Sequence, residues 1–205
     1  MTPRYWQRAT DALAADDPVM AGLIAAAQAT RLRRRSDAFQ ALARAIVGQQ
    51  ISVKAAAGVW GRLCECVDGI TPAGFVAVEP ARLRLAGLSR QKAAYLMDLA
   101  LHFHDGRLQP GRWARMDDEA VITELTQVKG IGRWTAEMFL IFHLLRPDVL
   151  PIGDLGLQRA ISLHYNRGRA LSEARLLRIA RPWAPWRTVA TWYLWRSLDP
   201  IPVEY

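Results

Sequence analysis

Leu125-Thr126-Gln127-Val128-Lys129-Gly130-Ile131-Gly132-Arg133-Trp134-Thr135-Ala136 is followed, one helix length later, by Pro151-Ile152-Gly153-Asp154-Leu155-Gly156-Leu157. The first stretch sets a glycine-flanked turn, Gly130-Ile131-Gly132, between a helical pattern that ends near Gln127 and another that begins near Arg133. Such a turn can point bare backbone N–H groups outward at the start of a helix, where the helix dipole also favours an anion. The second stretch puts the carboxylate of Asp154 in a short Pro/Gly loop that opens the next helix. One segment is suited to hold an anionic chain and the other to do chemistry.

Outward from this centre, nearly every segment has an apolar period of three to four rather than two. Phe39, Leu42, Ala43 and Ile46 form one face of a helix over 37–47, with Ser36 or Asp37 as its cap. Ser52 caps a helix reaching about Cys66 with Val53, Ala56, Val59, Trp60 and Leu63 aligned, and Thr71-Pro72 opens a short one. Ser89 opens a longer helix carrying Leu96, Leu99, Ala100 and Phe103, which Gly106 closes. Asp117 and Asp118 begin the helix entering the turn, and Trp134, Met138, Ile141, Phe142 and Leu145 make the apolar stripe of the helix leaving it. Further helices are expected over about 154–164, 172–180 and 186–197. No run alternates as a strand does, so the fold class is all-α. The Pro/Gly-rich break at 146–153 is the expected lobe boundary. The expected organisation is an N-terminal helical segment, 1–35, packing with the C-terminal lobe; a helical lobe, 36–145, containing the glycine turn; and an Asp154 loop with C-terminal helices, 146–205. Two lobes would then leave a cleft with Asp154 where they meet.

The formal net charge is +8 and the isoelectric point near 10.2. The basic residues are almost all arginine, Lys54, Lys92 and Lys129 being the only lysines. This balance suits a polyanionic partner, for which a nucleic-acid phosphate is the natural anion, although a solvated basic surface fits composition alone. Arg31, Arg33, Arg34 and Arg35 form the densest basic run, readable equally as a phosphate-facing patch or a solvated linker. Cys64 and Cys66, one residue apart in a helical pattern, suit neither a disulfide framework nor a four-thiolate metal site. They read as small apolar residues, and two cysteines exclude a four-cysteine iron–sulfur cluster. His102, His104, His143 and His164 show no metal-ligand pattern. No secretory signal or apolar run of membrane-spanning length is visible, so a cytoplasmic protein is expected.

With these residues in view, the chain resembles the helix-hairpin-helix DNA glycosylases, and within them the AlkA-type DNA-3-methyladenine glycosylase II. The likeness spans about 36–200 and rests on the segments at 39–56, 87–96, 128–136 and 151–160, with Pro185 to Trp195 adding a fifth. It implies a two-lobed helical fold and a monofunctional enzyme that flips alkylated bases such as 3-methyladenine and 7-methylguanine out of double-stranded DNA and hydrolyses the N-glycosidic bond. It implies that Asp154 is the essential aspartate and that amides near Gly130, Gly132 and Thr135 hold a phosphate, with Lys129 and Arg133 beside them. The Gln49-Gln50-Ile51 turn corresponds to the wedge that fills the gap left by the flipped nucleotide. Trp134 and Trp195 match positions lining the base pocket, with Met138 and Leu155 where some relatives are aromatic. No cofactor is implied, beyond a place for a structural sodium or potassium ion on the hairpin carbonyls of Thr126, Val128 and Gly130. Larger relatives carry an N-terminal β-rich lobe for which too few residues precede Ser36, so a short form is expected. A monomer in the bacterial cytoplasm, nucleoid-associated when bound to DNA, completes the expectation.

Blander readings stand beside these. An isolated Asp before a helix is an ordinary N-cap. Gly130 and Gly132 make a tight helix–helix turn in many proteins. A Gln-Gln turn is a polar connection, and most tryptophans, including Trp183, Trp186 and Trp192, pack cores. Two other functions compete: a bifunctional glycosylase/lyase, which needs a Schiff-base lysine where this chain has Trp134, and a non-enzymatic helix-hairpin-helix DNA-binding module, which needs no Asp154.

Overall fold

The computed structural model describes residues 3–27, 32 and 37–198. Among them no residue lies in a strand, and thirteen α-helices follow one another with short connections. They are α1 (Trp6–Asp16), α2 (Pro18–Ala26), α3 (Ala38–Gly48), α4 (Val53–Cys66), α5 (Pro72–Ala77), α6 (Pro80–Leu85), α7 (Arg90–His104), α8 (Pro110–Trp113), α9 (Asp118–Leu125), α10 (Arg133–Phe142), α11 (Leu155–Asn166), α12 (Glu173–Ala180) and α13 (Arg187–Leu198). A single 3₁₀ turn, Arg181–Trp183, precedes α13. No helix among the described residues is long and apolar enough to cross a membrane.

The helix starts follow from side-chain capping. Asp37, Ser52, Thr71, Ser89 and Asp117 each accept a hydrogen bond from the backbone N–H three residues on, which satisfies a donor the helix itself cannot. Asp37, not Ser36, is therefore the cap of α3; Ser36 lies outside the described residues, as do Arg31, Arg33, Arg34 and Arg35. Helices α6 and α8 begin on prolines, Pro80 and Pro110, the second inside a stretch, 105–112, whose composition reads as loop.

The chain divides into two compact units. One contains 37–139 of the described residues, the other 3–27 and 32 together with 140–198. The division falls inside α10, between Phe139 and Leu140, not at the Pro/Gly-rich break of 146–153. Composition marks that break because the backbone turns there, whereas α10 is buried without interruption from Thr135 to Ile141. Leu145, expected on the α10 stripe, lies beyond the helix at φ +56, and its carbonyl accepts from the Tyr5 hydroxyl at 2.9 Å.

The 37–139 unit is centred on a relay of rings packed edge to face: Phe75 on Phe39, Phe39 on Phe103, Phe103 on Trp113 and Trp113 on Phe139, with centroids 5.3–6.2 Å apart. Trp113 is fully buried and its indole N–H donates to Glu124 at 2.8 Å. The apolar residues expected on α3 and α7 line this core, but Val53 at the start of α4 is 59% exposed, because the first turn of that helix overhangs it. The two cysteines are free thiols on α4, Cys64 exposed and Cys66 half-buried.

In the second unit, Trp6 of α1 meets Trp192 and Tyr193 of α13, and Tyr5 stacks on Trp186. Asp17 is its polar tie. The carboxylate caps α2 through the N–H groups of Val19 and Met20, and also accepts from the Tyr165 hydroxyl at 2.6 Å and the Trp183 indole at 3.0 Å. Burial pushes the Asp17 carboxyl up, yet the bonds from Tyr165, Trp183, Met20 and Val19 outweigh it, so the net shift is downward. A depressed folded-state value means stability that is present above the ordinary carboxylate range and lost as pH falls through the folded value. Asp17→Ala is expected to cost about 2–4 kcal/mol at neutral pH, through the lost cap and two stranded donors. In denaturant titrations the wild-type advantage over Asp17→Asn should be full above about pH 5 and shrink in acid; a difference independent of pH would refute this account.

Candidate active site and DNA-holding hairpin

Between α9 and α10 the chain turns three residues at a time: Val128 N–H reaches Leu125 carbonyl and Ile131 N–H reaches Val128 carbonyl, each at 3.1 Å. Leu125, Val128 and Ile131 thereby fall on one side and are buried, while Thr126, Gln127, Lys129 and Gly132 are exposed. The apolar residue between the glycines anchors the turn. Gly130 has φ +85, and a Cβ there would lie 2.1 Å from the Tyr95 ring. Conformation and space both demand glycine. Gly132 differs: its φ is not in the left-handed region and an added Cβ would meet nothing within 4 Å. The Gly132 carbonyl accepts from Ala136 N–H at 3.0 Å, which sets Gly132 at the N-terminal boundary of α10.

The side chains expected to hold DNA here are largely engaged within the protein. The Arg133 guanidinium binds both carboxylate oxygens of Glu119 and, through Nε at 3.0 Å, buried Glu137. Glu119 first, then Glu137, drives the Arg133 pKa upward, and Arg133 in turn holds the Glu119 carboxyl below its ordinary value. Lys129 donates its backbone N–H to Asp98 at 2.9 Å, with its ammonium 3.9 Å from the same carboxylate. Sequence periodicity missed Asp98 because nothing in the spacing of α7 announces a partner in the hairpin. Thr135 is buried.

In the Gln49-Gln50-Ile51 turn, Gln50 is exposed with φ +58, a left-handed conformation that costs a side-chain-bearing residue about a kcal/mol or more. Ile51 is 40% exposed. Gln49 faces inward: its amide Nε2 donates to the Gly130 carbonyl at 2.8 Å. It is a strut beneath the hairpin, which the polar character of the turn concealed.

Asp154 is the N-cap of α11, Oδ1 accepting from Leu157 N–H at 2.7 Å. The loop before it closes on itself, Asp154 N–H on Pro151 carbonyl and the Gln158 amide on Ile152 carbonyl. The same Oδ1 accepts from the Trp195 indole N–H at 2.9 Å, and the Trp195 ring is stacked on Phe142 at 5.9 Å with planes 8° apart. Capping and site chemistry were alternatives in the sequence; here one carboxylate has the cap geometry and a second, non-helical donor. The structure thus brings Trp195 to Asp154. Leu155 is 78% exposed and lines a surface groove with Gln158, Arg159 and Leu163. Trp134, 39% exposed, and Met138, buried, lie one turn apart on α10. Trp183 and Trp192 are core residues.

With this geometry in hand, residues 43–185 match the family model described as HhH-GPD superfamily base excision DNA repair protein. The chain belongs to this superfamily. It is similar to the DNA-3-methyladenine glycosylase 1 of Schizosaccharomyces pombe, 32% identical over 82% of this chain and 75% of that one. Among solved structures it resembles a DNA-3-methyladenine glycosidase from Bacillus halodurans, with a TM-score of 0.85, 37% identity and coverage of 93% and 89% of the two chains. It also resembles the S. pombe 3-methyladenine DNA glycosylase in complex with abasic DNA, at TM-score 0.80 and 29% identity over 96% of this chain and all of that one.

The two hairpin glycines should separate by experiment. Gly130→Ala is expected to lower Tm by several degrees and to weaken duplex binding, whereas Gly132→Ala should leave Tm within about 2 °C of wild type, as expected for an open position with unstrained backbone. Equal thermal shifts for the two variants would contradict the Tyr95 contact.

Proposed function

We propose that this protein is a monofunctional DNA glycosylase that excises alkylated bases, 3-methyladenine and 7-methylguanine among them, from double-stranded DNA and leaves an abasic site for base excision repair. The carrying observation is the Asp154 carboxylate, doubly anchored by Leu157 N–H and the Trp195 indole, in a chain similar to enzymes named DNA-3-methyladenine glycosylases.

A stacked base exposes too little of its glycosidic bond, so it must be extruded at a cost of a few kcal/mol. The left-handed, exposed Gln50 at the tip of its turn supports the wedge reading, Gln50 and Ile51 entering the space the nucleotide leaves. The first-turn amides of α10 with Gly130 and Gly132 hold a backbone phosphate through N–H groups and helix dipole. Because Lys129 and Arg133 have acidic partners, this grip rests on the main chain. Purines alkylated at N3 or N7 are cationic, so an aromatic face such as that of Trp134 attracts them by about 0.5–2 kcal/mol. The same positive charge makes the base a good leaving group. As the C1′–N bond breaks, its electron pair goes to the base and positive charge develops on the sugar, opposite the Asp154 carboxylate. Water adds its oxygen to C1′ and gives up a proton, to which Asp154 is the nearest base in this reading.

No cofactor enters this scheme. A structural sodium or potassium ion at the hairpin fits the donor set: the carbonyls of Val128 and Gly130 each accept one hydrogen bond, from Ile131 N–H and the Gln49 amide, and a carbonyl offers two lone pairs. With Thr126 these carbonyls would hold the ion. Monomeric action in the cytoplasm, at the nucleoid, fits a chromosomal substrate.

Methylated duplex DNA incubated with the wild type should release free 3-methyladenine and 7-methylguanine without added metal, strands staying intact until alkali is applied. Asp154→Asn should reduce release by at least about 10²-fold, while affinity for an abasic-site duplex stays within a few-fold, since Asn can still cap α11. Strand cleavage without alkali would favour a lyase, and absence of release from any lesion a DNA-binding module.

A further inference from the structure

Helix α7 carries Lys92, Tyr95 and Asp98 at three-residue spacing, on one side of the helix. Each meets a different part of the two functional turns in its unit. Lys92 Nζ donates to the Val47 carbonyl at 2.8 Å and to the Gln49 carbonyl. The Tyr95 ring fills the space at Gly130, its hydroxyl bound by the Gln91 amide. Asp98 accepts from Lys129 N–H. The Gln49 amide, bonded to the Gly130 carbonyl, closes the circuit between the Gln50 turn and the hairpin.

Val47 lies in the last turn of α3, whose terminal carbonyls have no intrahelical donors, and Gln49 is its C-cap. An ammonium there answers both the orphan carbonyls and the negative end of the helix dipole. Burial lowers the Lys92 pKa, the mark of a lysine held in place at some desolvation cost rather than left in water. The next residue after the clamp is Gln50, in a left-handed conformation that persists only where its surroundings enforce it. Without Lys92 two carbonyls lose their donors and the turn has less reason to hold that shape.

We propose that Lys92 is a positioning residue for base extrusion: its clamp on the Val47 and Gln49 carbonyls fixes the Gln50 turn against the hairpin, so that the wedge meets the duplex at a set distance from the phosphate grip. It touches neither base nor sugar. This rests on reading residues 49–51 as the wedge of a glycosylase.

The test exploits the fact that extrusion is costly from a paired stack and cheap from an unpaired one. Single-turnover excision of 7-methylguanine is measured from two duplexes of one sequence, the lesion opposite cytosine or in a one-nucleotide bulge. The readout is the ratio of the two rates, which an inactive fraction of enzyme leaves unchanged. Lys92→Met should lower the paired-lesion rate at least tenfold and the bulge rate less than threefold, and Lys92→Arg should recover most of the ratio, because a guanidinium can still donate to both carbonyls. Lys92→Gln, uncharged and one bond shorter, so that it keeps at most one of the two bonds, serves where Lys92→Met does not fold and should lower the ratio at least threefold. A ratio equal to wild type in Lys92→Met or Lys92→Gln overturns the proposal. Gln50→Gly distinguishes the underlying reading: a changed ratio there with an unchanged one at Lys92 retains the wedge and rejects the clamp. An unchanged ratio at Gln50 rejects the wedge and the clamp with it, and absence of excision by wild type rejects the glycosylase reading as a whole.

Discussion

Gly130 lies against the Tyr95 ring so closely that only hydrogen fits between them, and the hairpin is built around that contact. A turn that presents its amide groups to a ligand must have its apolar and polar needs met from behind. Val128 and Ile131 meet the first by burial, while Asp98 and Gln49 meet the second by bonding the Lys129 amide and the Gly130 carbonyl. The ring relay through Phe39, Phe103 and Trp113 then packs α3 and α7, from which Gln49 and Asp98 reach the hairpin, against α8.

In the other unit the comparable element is Asp154, where local and long-range bonds converge on one oxygen. The cap ties the carboxylate to α11, and Trp195 ties it to α13, whose ring face rests on Phe142. A carboxylate held from two directions loses little freedom when charge develops before it, which is the condition for electrostatic stabilisation without reorganisation. Gly156 fits the same logic. A Cβ there would approach Asp154 Oδ1 at 3.1 Å and the Trp195 ring at 3.6 Å.

Much of this was legible in the chain because helix caps and apolar periodicity are local. Asp37, Ser52, Thr71, Ser89 and Asp117 cap where their residue types predict, and the glycine turn and the Asp154 loop fall between the helices expected to flank them. Short helices on Pro80 and Pro110 were hidden, since one or two turns give no period to read. The harder failure concerns direction. Gln49, Lys129 and Arg133 look alike as polar residues on exposed turns, yet their bonds run to Gly130, Asp98 and Glu119, partners 14 to 81 positions away. The pairing of Trp195 with Asp154, 41 positions apart, is of the same kind. Residue type announces a capacity for hydrogen bonding; only the packed chain decides which partner satisfies it.

The engagement of Arg133 and Lys129 by carboxylates has a consequence for how this protein tolerates change. On the proposed reading the phosphate grip is made from main-chain atoms and has no side chain to lose: every residue but proline supplies the same N–H, so exchange at the exposed hairpin positions leaves the donors in place. What substitution can remove is the shape that aims them, and that shape is stored in Gly130, Tyr95 and the buried pair Val128 and Ile131. The vulnerable positions of the hairpin are therefore the ones that hold its shape, rather than the exposed side chains around it.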